Sequence, residues 1–120
     1  MKVLIIEDET NAADLFESLA RGCGYETKIV GTGHGALQQA ASDWPDVFIV
    51  DWTLPDGMVG KDIIMSLQAM ANGRPMKIIA TTASVDKTVK QTIKETGVFA
   101  FIEKPFLPTD LIDLLNKAKE

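Results

Sequence analysis

Three features of the chain point to an α/β fold built on a doubly wound five-stranded parallel sheet. Short apolar runs alternate with longer segments of helical period along the whole chain. The runs Val3–Ile6, Val47–Val50 and Met76–Thr81 are apolar almost throughout, as strands covered on both faces are. Two of the runs end in acid: Glu7 and Asp8 follow Ile6, and Asp51 follows Val50. Strict strand–helix alternation calls for parallel strands joined by right-handed crossovers, with helices on both faces.

The first strand is Val3–Ile6. Ala12, Phe16, Leu19, Ala20 and Cys23 then recur on one face of a helix, which Gly22 and Gly24 close by C-capping. Tyr25–Val30 mixes polar with apolar residues and reads as an edge strand. Gly31-Thr32-Gly33-His34-Gly35 follows and reads as a flexible loop. It lacks both the Lys-Ser/Thr ending of a P-loop and the spacing of a dinucleotide fingerprint. Ala36, Leu37, Ala40 and Ala41 mark the second helix, and Trp44 before Pro45 packs in the loop ahead of the third strand, Val47–Val50. Ile63, Ile64, Leu67, Met70 and Ala71 mark the third helix, before the fourth strand Met76–Thr81. Val85, Val89 and Ile93 form a thin stripe on the fourth helix, and capping that helix, by Thr82 itself or by Ser84, is the plain structural alternative to a functional role for Thr82. Val98–Ile102 is the last strand, and Leu111, Leu114, Leu115 and Ala118 give the last helix a firm apolar face. With the second strand at one edge and the fifth at the other, the order is 2-1-3-4-5, the flavodoxin-like (βα)5 arrangement. Direction reverses between strands one and three, so a crevice opens at their carboxyl ends.

Composition narrows the function. The 120 residues carry a net charge of −5 and 46% hydrophobic residues, which fits one domain spanning 1–120 with a real core. No basic block or stripe is visible, so nucleic acid and anionic membrane are not expected as direct partners. Cys23 is the only cysteine, which excludes an intramolecular disulfide and a cysteine zinc cluster. The chain shows neither a signal peptide pattern nor an apolar run of spanning length, and a cytoplasmic setting is expected.

The acids carry the chemistry. Mg²⁺ takes oxygen ligands in octahedral geometry, commonly one or two carboxylates with waters and a phosphate oxygen. Asp8 and Asp51 on adjacent strands can supply two such oxygens, and Glu7 can act directly or through water. A carboxylate is also a phosphoryl acceptor, and a metal offsets the charge that repels the incoming group. Thr82 and Lys104 end the fourth and fifth strands at the same sheet edge, where a hydroxyl and an ammonium suit phosphoryl oxygens.

With these residues in this order, the chain resembles the receiver domain of two-component response regulators, the CheY-like family. The resemblance runs from Lys2-Val3-Leu4-Ile5-Ile6-Glu7-Asp8 through Asp51-Trp52-Thr53-Leu54-Pro55 and Thr82-Ala83 to Lys104-Pro105-Phe106 and the last helix. It implies a phosphoprotein in which Asp51 accepts a phosphoryl group from a phosphohistidine on a sensor histidine kinase or a histidine phosphotransfer protein. It further implies Mg²⁺ held by Glu7, Asp8, Asp51 and the backbone carbonyl of Thr53, with Thr82 and Lys104 on the phosphoryl oxygens. Thr82 and Phe101 would form the switch, and helix four, strand five and helix five the face that meets a downstream protein. In the family the Lys104-Pro105 bond is usually cis, and Thr53 and Ser84 match the positions that tune phosphoryl lifetime. One departure is visible: Gly60 stands one residue farther from Pro55 than is usual, so the loop Pro55-Asp56-Gly57-Met58-Val59 is expected to bulge.

Other functions fit less well. An aspartyl-phosphate phosphatase that uses Mg²⁺ needs a second Asp two residues beyond the nucleophile, and Thr53 stands there. A flavin binder of this topology needs a phosphate loop after the first strand, where Glu7-Asp8-Glu9 repels phosphate. A receiver-like docking module that is never phosphorylated has no need of all five polar residues. The expectation is a signalling module in a phosphorelay, not an enzyme with an external substrate, and no stretch of the sequence is left over for an output domain.

Overall fold

In the computed structural model, which describes residues 1–53, 59–83 and 86–120, each expected element is present. In chain order they are β1 (Lys2–Ile6), α1 (Thr10–Gly22), β2 (Glu26–Val30), α2 (Gly33–Ser42), β3 (Val47–Asp51), α3 (Gly60–Ala71), β4 (Lys77–Thr82), α4 (Lys87–Glu95), β5 (Ala100–Glu103) and α5 (Pro108–Lys117). The strands are all parallel and ordered β2-β1-β3-β4-β5.

Alternation along the strands divides the interior into two cores. Val3, Ile5, Val47, Ile49 and Ile79 face α1 and α5, where Phe16, Ala20, Leu111 and Leu115 cover them. Leu4, Ile6, Phe48, Val50, Ile78 and Ala80 point the other way, against Ala36, Ala40, Ile63, Ile64, Leu67 and Ile93. Burial on both faces explains the unbroken apolar runs. The edge strand β2 is buried nowhere along its length, in keeping with its mixed composition. Ala41, expected on the apolar face of α2, is exposed.

Several boundaries differ from the sequence reading, each for a local reason. The glycine-rich stretch expected to be a loop starts α2 at Gly33, because the Thr32 side chain accepts a hydrogen bond from the Gly35 amide at 3.0 Å. A satisfied N-cap outweighs the poor helix propensity of glycine here. Asp86 caps α4, with its carboxylate accepting from the Thr88 amide at 2.7 Å, so the helix starts well beyond Thr82, which ends β4. Tyr25 lies ahead of β2 because its amide closes the end of α1 on Ala20. The bulge expected over Pro55–Met58, and the readings placed on Ser84 and Val85, fall outside the described residues.

Candidate functional site

Among the described residues the buried polar or charged side chains are Glu7, Thr81 and Thr82, and all lie at the carboxyl ends of β1 and β4. Burying such groups is costly without partners, so their concentration at one sheet end marks a site rather than a defect in the core. Asp51 sits between them as the last residue of β3, opposite Thr81 in register. It belongs to the strand rather than the following loop, because the Trp52 amide donates to the Thr81 carbonyl at 2.9 Å.

The three expected acids do converge. Glu7, Asp8 and Asp51 each present a carboxylate oxygen, and these oxygens all lie within 4.8 Å of one another. Asp51 Oδ1 accepts from the Thr53 amide at 3.1 Å, and Glu7 Oε2 accepts from the Asp8 amide at 3.1 Å. Lys104, rooted just beyond β5, extends its ammonium to Glu7 Oε1 in an ion pair and lies 3.8 Å from Asp51 Oδ2. Glu7 is fully buried at its side chain. Burial raises its pKa above the usual carboxyl value, the Asp51 neighbour pushes the same way, and Lys104 opposes both. An oxygen-only donor set this crowded fits a hard divalent cation, whose charge would relieve the repulsion between carboxylates.

The remaining expected residues stand at the same edge. Thr82 ends β4 beside Glu103, and its carbonyl accepts from the Lys104 amide at 2.8 Å, which ties the two ends together. Thr53 forms an isolated antiparallel bridge with Val59, which ties the backbone beside Asp51 to the residue preceding α3. Phe101 pairs with Ala80, two residues before Thr82 and on the same sheet face. Its ring is half-buried, with the Lys94 ammonium 5.8 Å from its centroid. The Lys104-Pro105 bond is cis.

Sequence reasoning missed three residues here. Glu9 caps α1 by accepting from the Asn11 and Ala12 amides, although glutamate is an unusual cap. A Cβ on Gly60 would stand 2.6 Å from Trp52 Cα and 3.0 Å from the Asp51 carbonyl oxygen, so the start of α3 presses directly on the acid's backbone. Thr81 Oγ1 is buried and finds no hydrogen-bond partner among the described residues. The signal for Thr81 was present in the sequence: a hydroxyl where a central strand calls for an apolar side chain.

A family model for the response regulator receiver domain matches residues 3–116. The chain belongs to this family. Among curated relatives, this receiver domain is 34% identical over 110 residues to the sensory transduction protein RegX3 of Mycolicibacterium smegmatis, covering 92% of this chain and 46% of that protein. It is 31% identical to the DNA-binding response regulator MtrA of Mycobacterium tuberculosis, covering 92% of this chain and 47% of MtrA. The chain thus spans about half the length of the curated relatives it matches. Among solved structures, a response regulator from Chloroflexus aurantiacus superposes with a TM-score of 0.89 at 30% identity, over 98% of this chain and 95% of that one. The receiver domain of sensor histidine kinase PA1611 from Pseudomonas aeruginosa gives 0.86 at 26% identity, over 99% and 98%. That structure has a magnesium ion coordinated in its active-site cleft.

Proposed function

We propose that this receiver domain accepts a phosphoryl group on Asp51 from a sensor histidine kinase or a histidine phosphotransfer protein, and that phosphorylation switches its binding to a downstream protein. The observation that carries the reading is the Lys104 ammonium set between Glu7 and Asp51, with Asp8 completing a three-carboxylate cluster around one position. In the transfer, an Asp51 carboxylate oxygen forms the new P–O bond as the P–N bond to the donor histidine breaks, and the electron pair returns to the imidazole.

Glu7, Asp8, Asp51 and the Thr53 carbonyl are the groups suited to hold Mg²⁺. When bound, the ion supplies positive charge that offsets repulsion between the carboxylates and the phosphoryl oxygens. The Thr53 amide on Oδ1 keeps the Asp51 carboxylate from turning, which leaves Oδ2 toward Lys104. Lys104 and the Thr82 hydroxyl then take phosphoryl oxygens. Because Thr82 and Phe101 share one sheet face, a shift of Thr82 toward the site changes the space beside the Phe101 ring. New charge-assisted contacts to the phosphoryl group bias that equilibrium, and α4, β5 and α5 present the outcome to the partner. On this reading the domain acts in the cytoplasm as a signalling module, without turnover of an external substrate and without direct contact to nucleic acid or membrane. Among the described residues no helix is long and apolar enough to cross a membrane.

The test is mass spectrometry after incubation with Mg²⁺ and acetyl phosphate. One phosphoryl group is expected on the parent chain and none on Asp51→Asn. Uptake by the variant at the parent's level would place the acceptor elsewhere.

A further inference from the structure

Among the described residues the buried hydroxyl of Thr81 has no partner, and neither metal binding nor phosphoryl transfer as proposed makes use of it. Register places Glu7 after β1, Asp51 on β3 and Thr81 on β4 in one row, with Asp51 directly opposite Thr81. Alternation puts all three on the sheet face that α1 and α5 cover, since Ile5, Ile49 and Ile79, two residues earlier on each strand, belong to that core. Lys104 works on the same face, its ammonium 5.8 Å from the Phe16 ring centroid. In sheet order, the ammonium rooted beyond β5 must pass the span of β4 and β3 to reach Glu7. Drawing it back from Glu7 toward a phosphoryl group on Asp51 therefore moves it toward Thr81.

We propose that Thr81 is a positioning residue of the phosphoacceptor site, whose hydroxyl oxygen accepts a hydrogen bond from the Lys104 ammonium once Asp51 is phosphorylated. An ammonium has three N–H donors, enough for a phosphoryl oxygen and the Thr81 hydroxyl together. A buried hydroxyl without a partner destabilises the form that contains it, and gaining a partner removes that penalty. The residue thus favours the phosphorylated arrangement twice over, by destabilising the resting form and by holding Lys104 on the phosphoryl group. The inference rests on the Asp51 reading, and the experiment separates the two.

Beryllium fluoride with Mg²⁺ serves as the phosphoryl mimic, with affinity read from Trp52 fluorescence and stability from thermal melts. Thr81→Val keeps the shape and removes the hydroxyl. Its mimic affinity is expected to fall by roughly tenfold, the scale of one charge-assisted hydrogen bond. Its unliganded form should melt at or above the parent's temperature. Thr81→Ser should bind the mimic like the parent, and in a Lys104→Ala background Thr81→Val should have no further effect on affinity. Unchanged affinity in Thr81→Val, loss in Thr81→Ser equal to that in Thr81→Val, or a lowered melting temperature of the unliganded Val variant would each overturn the proposal. If the parent itself binds no mimic, the Asp51 reading fails and this inference falls with it.

Discussion

Lys104 links the two sides of the acid cluster, and its removal separates metal binding from phosphoryl handling. Lys104→Ala should retain Mg²⁺ binding, because all three carboxylates survive, but should accept and hold the phosphoryl group poorly. Asp8→Ala should lose Mg²⁺ affinity by about tenfold or more. Fluorescence titration of the two variants checks the division of roles, and equal losses would refute it. Glu7 makes a pH-dependent contribution. Its pKa is raised in the folded protein, so between the ordinary value of 4.5 and the raised one the folded state binds more protons than the unfolded state. That contribution to stability is present at acidic pH and is lost as pH rises through the raised value. Without metal, the parent should lose more stability than Glu7→Gln as pH rises from 4.5 through the raised value in urea melts. Parallel losses would place the proton elsewhere.

The elements position these residues through backbone contacts that side-chain patterns do not reveal. Gly60 opens α3 against the end of β3, with its amide donating to the Trp52 carbonyl at 2.8 Å. Gly60→Ala should gain up to about 1 kcal/mol of helix propensity. The added methyl would press on main-chain atoms of Asp51 and Trp52 that cannot rotate away, an overpacking cost of about 1–3 kcal/mol. The clash should win, and urea unfolding should show net destabilisation; a neutral or stabilised variant would contradict it. The caps teach a similar lesson. Thr32 is a capping residue type, yet the glycines around it hide the helix start, and Asp86 caps α4 by accepting from an amide that the apolar stripe of that helix does not mark.

Across the molecule, the two cores leave the carboxyl end of the sheet as the place where carboxylates crowd together. Mg²⁺ binding to the folded state alone should raise its stability by about 2.7 kcal/mol at a hundredfold excess over Kd. Asp8→Asn removes one repelling charge, so it should melt higher than the parent in the absence of metal but lose most of the Mg²⁺ increment. Calorimetry with and without Mg²⁺ checks both signs, and an undiminished increment in the variant would remove Asp8 from the metal site. Elsewhere the face of α4, β5 and α5 carries a Lys90–Glu103 ion pair at 2.7 Å, which joins helix to strand two residues after Phe101.

Strand order, the burial of the central strands and the acids at the crevice are legible in the residues alone, because each is written in local periodicity and in where apolar runs stop. The family is legible there too, through Glu7-Asp8, Asp51, Thr82-Ala83 and Lys104-Pro105-Phe106 at their spacings. The folded chain alone shows that Lys104 reaches across to Glu7, that Gly60 presses on the Asp51 backbone, and that Thr81 Oγ1 is buried beside Asp51 in register. Those contacts join residues distant in the chain, and no periodicity of one segment encodes which atoms of another will meet it.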